Sequence, residues 1–218
     1  MLKHDTSLRD LIKTLQRVVS RRGSSKVLSF SAPHVFKALQ LLYKDNYVSR
    51  TTFCKEIHTG EGAVKTLILH LKEEGLADSL RSGTFLTKKG QKFTGELLKI
   101  VSAECDIPKC SIAQGKKNHA ILLRNLAGEI KTGIEQRDAS ILYGATGAIT
   151  ILYHKNKFVF PKEEHDCLQQ EKKIRKILLE NLKPNNDDVI IIATATEPFV
   201  AELSAKSSAL FTLAQSGF

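Results

Sequence analysis

Residues 49–89 read SRTTFCKEIHTGEGAVKTLILHLKEEGLADSLRSGTFLTKK, and this stretch decides the fold of the front half. Ser49 suits the N-cap of a short helix that buries Phe53 and Ile57, because a serine hydroxyl accepts from a free N–H of the first turn. His58-Thr59-Gly60 forms a turn. Val64, Leu67, Ile68 and Leu71 recur at helical spacing, so a second helix with one apolar face follows. Gly75 stops that helix. Residues 76–81 and 84–88 read as two strands joined at Ser82-Gly83. A closing helix is expected over residues 90–103, with Phe93, Leu97, Ile100 and Val101 as its apolar side.

Helix, turn, helix, hairpin and a basic exit (Leu86-Thr87-Lys88-Lys89-Gly90) make a winged helix-turn-helix. Such a unit lays its second helix in a DNA major groove with the hairpin beside it. Upstream, Pro33 suits the first turn of a helix carrying Val35, Ala38, Leu39 and Leu42, and Asp45-Asn46 ends it. Residues 6–20 place Leu8, Leu11, Ile12, Leu15, Val18 and Val19 at helical spacing, with Thr6 or Ser7 as cap and Gly23-Ser24-Ser25 as the stop. Arg9, Lys13, Arg17, Arg21 and Arg22 make its other face basic. That helix reads either as a dimerisation or DNA-contacting arm, or as an added helix packed on the core.

The charge balance agrees with this placement. The chain has 218 residues and a formal net charge of +10. Residues 1–104 carry 18 Lys+Arg against 10 Asp+Glu, a net +8, whereas residues 105–218 carry 15 against 13, a net +2. Phosphate neutralisation needs such an excess on the half that meets DNA. The longest apolar runs, such as Val189-Ile190-Ile191-Ile192-Ala193, are far short of a membrane span, so no membrane partner is expected. MLKHDTSLRD lacks the apolar core of a secretory signal, which points to a cytoplasmic protein with Cys54, Cys105, Cys110 and Cys167 as reduced thiols.

Residues 32–104 resemble winged-helix regulators. The Gly60-Glu61-Gly62 opening followed by Val64-Lys65-Thr66-Leu67 is similar to the version in archaeal regulators and in the module fused to archaeal riboflavin kinases. The resemblance implies that the outward positions of the second helix, Glu61, Lys65, Thr66, Leu69 and His70, face base edges. Arg50 is then placed for a phosphate, Arg81 for the minor groove from the hairpin tip, and Lys88, Lys89 and Lys92 for the backbone beyond it. Each cation is also readable as an ordinary solvated charge, and Glu61 at the reading end repels phosphate.

The second half reads as a small α+β sandwich domain. Strands are expected over 120–123, 148–153, 157–160 and 187–195, and helices over 134–143, 167–182 and 198–213, after a linker or first strand at 105–115. The whole pattern, with Gly133-Ile134-Glu135-Gln136-Arg137-Asp138, Tyr143-Gly144-Ala145-Thr146-Gly147-Ala148 and Ala201-Glu202-Leu203-Ser204-Ala205-Lys206, resembles an uncharacterised archaeal family. That family joins a winged helix to an α+β domain of unknown function. The expected organisation is an N-terminal helix over 1–31, a winged helix over 32–104 and an effector- or partner-binding domain over 105–218.

Arg137 and Asp138 suit an anion and its partner group, Gly144 and Gly147 allow close backbone approach, and Thr196 and Glu197 open a helix after a buried strand. The same residues also read as an ion pair, a C-cap, a tight turn and a charge at a helix N-terminus. Cys105-x4-Cys110 with His119, His165 and Cys167 lacks paired-thiolate spacing, so no metal is expected. Nor is a cofactor: P-loop, dinucleotide and nucleophile-elbow patterns are absent. The sequence thus points to a winged-helix transcription regulator binding double-stranded DNA as a homodimer, with a small-molecule or partner sensor, and not to an enzyme. The rivals are an enzyme with a winged-helix front end, its site built from Gln136, Arg137, Asp138, Glu197 and Glu202, and an assembly factor using the winged helix for protein contact.

Overall fold

The computed structural model describes residues 8–20 and 27–216. Thr6, Ser7, Arg21, Arg22 and Gly23-Ser24-Ser25, read above as cap, basic face and stop of the first helix, lie outside the described residues. The fold is α+β, with eight α-helices and seven strands in two sheets among the described residues. No helix among them is long and apolar enough to cross a membrane. The chain divides into two compact units, residues 1–97 and 98–218.

The first unit holds α1 (Leu8–Val18), α2 (Ala32–Lys44), α3 (Arg50–Glu56), α4 (Glu61–Glu73), the hairpin β1 (Ala77–Leu80) and β2 (Gly83–Leu86), and most of α5 (Lys88–Ile100). Helix α1 packs on α2 and α4 through Leu11, Ile12, Leu15 and Val18. It is an added core helix as well as a basic one. Ser49 caps α3, its Oγ accepting from Thr52 N at 3.0 Å. Phe53, Leu67 and Leu71 are fully buried, and truncating any one to Ala costs about 2–5 kcal/mol.

Gly75, at φ 69°, ends α4 in the left-handed conformation, and its N–H donates to Lys72 O at 2.8 Å. The hairpin turns at Arg81-Ser82, with Leu80 paired to Gly83, one residue earlier than Ser82-Gly83. Val48 adds a single rung beside Thr84, with N–H to carbonyl bonds of 2.8 and 2.9 Å. Gly90 lets α5 touch the hairpin base: a Cβ there would fall 1.8 Å from Leu76 O.

The helix expected over 90–103 begins two residues earlier and ends at Ile100. From Val101 the chain is a strand. Val101-Ser102-Ala103-Glu104-Cys105-Asp106-Ile107 mixes apolar and polar residues at short spacing, and Val101 fits both the end of a helical stripe and the start of a strand. Pairing with a distant strand decides it.

The second unit is a five-stranded antiparallel sheet in the order β3-β4-β7-β5-β6. Its strands are β3 (Val101–Ile107), β4 (Lys117–Leu123), β5 (Gly147–His154), β6 (Lys157–Val159) and β7 (Asp188–Ala195). β7 is last in sequence and central in space. All eight of its residues are buried, as its unbroken apolar run requires. Alternation divides the sheet into two faces. Ala120, Leu122, Ile151, Ile190 and Ile192 pack with α7 (Lys172–Leu182) through Ile174, Leu178 and Leu182. The opposite face carries α8 (Pro198–Ser216) and α6 (Ile134–Ile141). The helix expected from residue 167 starts only at Lys172.

Small polar side chains join α6 to α8. Ser140 and Ser208 hydroxyls lie 2.8 Å apart, Gln136 Nε2 donates to Thr212 Oγ1 at 3.2 Å, and Ser207 Oγ donates to Ala139 O at 3.1 Å. Burial favours such internal bonds, because these hydroxyls have little access to water.

Candidate functional site

In the first unit, a groove of about 730 Å³ runs between the start of α3, the outer face of α4 and the hairpin tip. Arg50 enters it from the first residue of α3, Glu61 and Lys65 from α4, and Arg81 from the hairpin loop. Four residues read from the sequence as contacts therefore share one surface. Helical spacing adds a fifth, missed, charge: Lys72 follows Lys65 by seven residues, two helical turns, and also lines the groove. The lining holds four cations against one carboxylate.

The side chains of Arg50, Glu61, Lys65 and Arg81 are exposed and make no hydrogen bond or ion pair among the described residues. Lys72 is engaged, its Nζ lying 2.9 Å from Asp78 Oδ1. That bond, with a second from Ser79 N–H, holds the Asp78 carboxyl below the usual carboxylate range. Two apolar side chains also face the groove, Leu69 at 52% exposure and Leu80 at 61%.

The other expected contacts stand elsewhere. His70 is buried at 4% exposure and is no outward residue. Its Nδ1–H donates to Val18 O at 2.6 Å, and its ring meets Phe30 edge to face at 5.8 Å. The physical reason is α1, which packs on a second side of α4 and widens the buried arc beyond one apolar stripe. Thr66 is half-buried, and its hydroxyl donates to Gly62 O at 3.1 Å, a bond within its own helix. Lys88 is exposed in the first turn of α5. Lys89 Nζ donates to Glu74 O at 2.6 Å and so closes the C-terminal end of α4.

In the second unit, Arg137 and Asp138 pair with each other at 3.1 Å on the exposed side of α6. Arg137 and Gly147 line a cleft of about 460 Å³ together with Thr146 and Thr194. Asp138, Gly144, Thr196 and Glu197 lie outside that lining. Gly144, at φ 92°, serves the turn after α6, and Glu197 O accepts from Ala201 N at the start of α8. The proposed convergence of Gln136, Arg137, Asp138, Glu197 and Glu202 is not formed as one cluster. Gln136 bonds Thr212, Arg137 bonds Asp138, and Glu202 lies 3.1 Å from Lys206.

Sequence reading missed an ionic cluster in the second unit. Lys206, fully buried on α8, bonds Glu104 on β3 as well as Glu202. His119 on β4 contacts Asp106 at 2.7 Å and Glu104 at 3.5 Å. Burial opposes ionisation of Glu104, but the hydrogen bond from His119 and the charge of Lys206 outweigh it and hold the carboxyl at about 2. Burial likewise opposes charging His119, yet its bonds to Asp106 and Glu104 raise it above its ordinary value. The available signal was the alternation Glu104-x-Asp106 on one strand opposite His119 on the next.

Burial pushes the Cys105 thiol up to about 11, and burial with the Asp166 charge pushes Cys167 up to about 12, so both are protonated and poorly nucleophilic. Among the described residues no group of three His, Cys, Asp or Glu side chains is placed to hold a metal ion.

A domain of unknown function (DUF4443) matches residues 114–213, within the second unit. The chain is also similar to a solved structure, hypothetical protein PH0730 from Pyrococcus horikoshii OT3. The TM-score is 0.69 and the identity 26%, over 84% of this chain and 92% of that one. Both likenesses agree with an uncharacterised archaeal family. No curated protein matches.

Proposed function

We propose that this protein is a cytoplasmic DNA-binding transcription regulator of the winged-helix type. In this reading α4 is the recognition helix, the β1–β2 hairpin is the wing, and the second unit senses a small molecule or a partner. The observation that carries it is the groove: Arg50, Lys65, Lys72 and Arg81 arrive from three separate elements on one surface. Three of them are unpaired among the described residues, so their charge is available to phosphates. The order of elements and the +8 balance of residues 1–104 support the same reading. A single recognition helix reads few base pairs, so two copies on a near-palindromic site are the expected binding unit.

Fluorescence anisotropy on labelled duplex from the protein's own upstream region, with Lys65→Ala and Arg81→Ala alongside, tests the reading. Each variant should weaken binding roughly 5-fold or more while the fold is retained. Equal affinity for wild type and both variants would leave the groove without a role in DNA binding and shift the reading towards protein contact.

A further inference from the structure

On the α4 side of the groove stand two residues that phosphate binding does not explain. Glu61 is a carboxylate among four cations, and Leu69 is a large apolar side chain left 52% exposed. Against a phosphate, Glu61 is repulsive. Against water, Leu69 gains nothing.

Both lie on one stripe of α4 with Lys65 between them, at steps of four residues. Four residues advance about 6 Å along a helix, and base pairs stack at about 3.4 Å, so successive contacts fall about two base pairs apart. The major groove offers each of these side chains a single good partner. A carboxylate accepts from an exocyclic amine. Cytosine N4 is the better one, because adenine N6 sits beside the N7 acceptor, which repels it. A leucine finds apolar surface only at the C5-methyl of thymine.

Building on the DNA-binding reading above, we propose that Glu61 and Leu69 set sequence specificity, Glu61 selecting a cytosine and Leu69 a thymine methyl about four base pairs away, with Lys65 between them. The unpaired cations Arg50 and Arg81 supply attraction that every sequence shares. The carboxylate then works against nonspecific binding, since any register without an amine facing Glu61 leaves it near phosphate with nothing to accept from. Glu61 also sits in the first turn of α4, where a negative charge favours the helix by itself. That role predicts a change in stability and none in base preference, so the two are separable by experiment.

The test is selection of binding sites from randomised duplex with the full chain, its Glu61→Gln variant and its Leu69→Ala variant, each shown to be folded at the assay temperature. Glutamine pairs with adenine, so Glu61→Gln should move one position of the selected site from cytosine to adenine and weaken the original site about 5-fold or more. For Leu69, deoxyuridine replaces the selected thymine and removes only the methyl group. Wild-type affinity should fall about 4-fold, the worth of one buried methyl-sized group, and the Leu69→Ala variant should not respond. A wild type that selects a site unchanged by Glu61→Gln, or indifferent to deoxyuridine, overturns this inference and leaves DNA binding standing. A wild type that selects no duplex overturns both.

Discussion

Charge is used in opposite ways in the two units. In the first, Arg50, Lys65 and Arg81 stand exposed and unpaired among the described residues around a groove. In the second, Lys206, Glu104, Glu202, His119 and Asp106 satisfy one another between β3, β4 and α8. An exposed unpaired cation costs the fold almost nothing and keeps its attraction for a partner. A buried lysine is tolerable only while its carboxylates remain, so it belongs to the fold. The same residue types are thus left available to a partner in one place and tied into the architecture in the other, and burial tells them apart.

The contrast breaks most visibly at Lys206. Lys206→Met leaves Glu104 and Glu202 facing an uncharged side chain, and urea unfolding should show a loss of about 3–5 kcal/mol. Replacing Glu104 with Leu in the same chain should recover part of that loss, because the uncompensated charge goes with it. A single variant as stable as wild type would show that the cluster is dispensable.

The cluster also predicts a pH profile with two opposite slopes. Glu104 is depressed to about 2, so its contribution is complete above the ordinary glutamate range and is lost as pH falls towards about 2. His119 is raised, so its contribution is complete below roughly pH 6.5 and is lost as pH climbs through the higher folded value. Thermal melts from acid to alkaline pH should therefore peak on the mildly acidic side, and His119→Gln should flatten the alkaline limb. An unchanged alkaline limb would remove His119 from the account.

Much of the first unit was legible because its signals are local. Ser49 as cap, Gly75 as stop and the stripe Val64, Leu67, Ile68, Leu71 depend on neighbours within a few residues. Arg50, Lys65 and Arg81 were named from the resemblance to winged-helix regulators, while Lys72, two turns after Lys65, was passed over. His70 was misplaced because its burial depends on α1, some fifty residues upstream. Lys206 was missed because Glu104 lies 102 residues away in sequence, and nothing near Lys206 but Glu202 hints at a charged partner. The start of β3 was ambiguous for the same reason, its pairing being with a strand that begins at Lys117.

The smallest effect concerns Gly62, in the first turn of α4. A Cβ there meets nothing within 4 Å, so Gly62→Ala should raise stability by about 0.5–1 kcal/mol in a thermal or urea melt. A loss of stability would mean that the α4 entrance has no room for a methyl group at Gly62.

The most direct measurement of the central claim is the salt dependence of duplex binding for wild type and Arg81→Ala. Each phosphate neutralised contributes a slope of about −0.9 in log affinity against log salt. Three unpaired cations on one copy predict a slope of roughly −3 per bound copy, reduced by about 1 in Arg81→Ala with an unchanged melt. A slope near zero, or one that Arg81→Ala leaves untouched, would contradict the assignment of this groove to DNA.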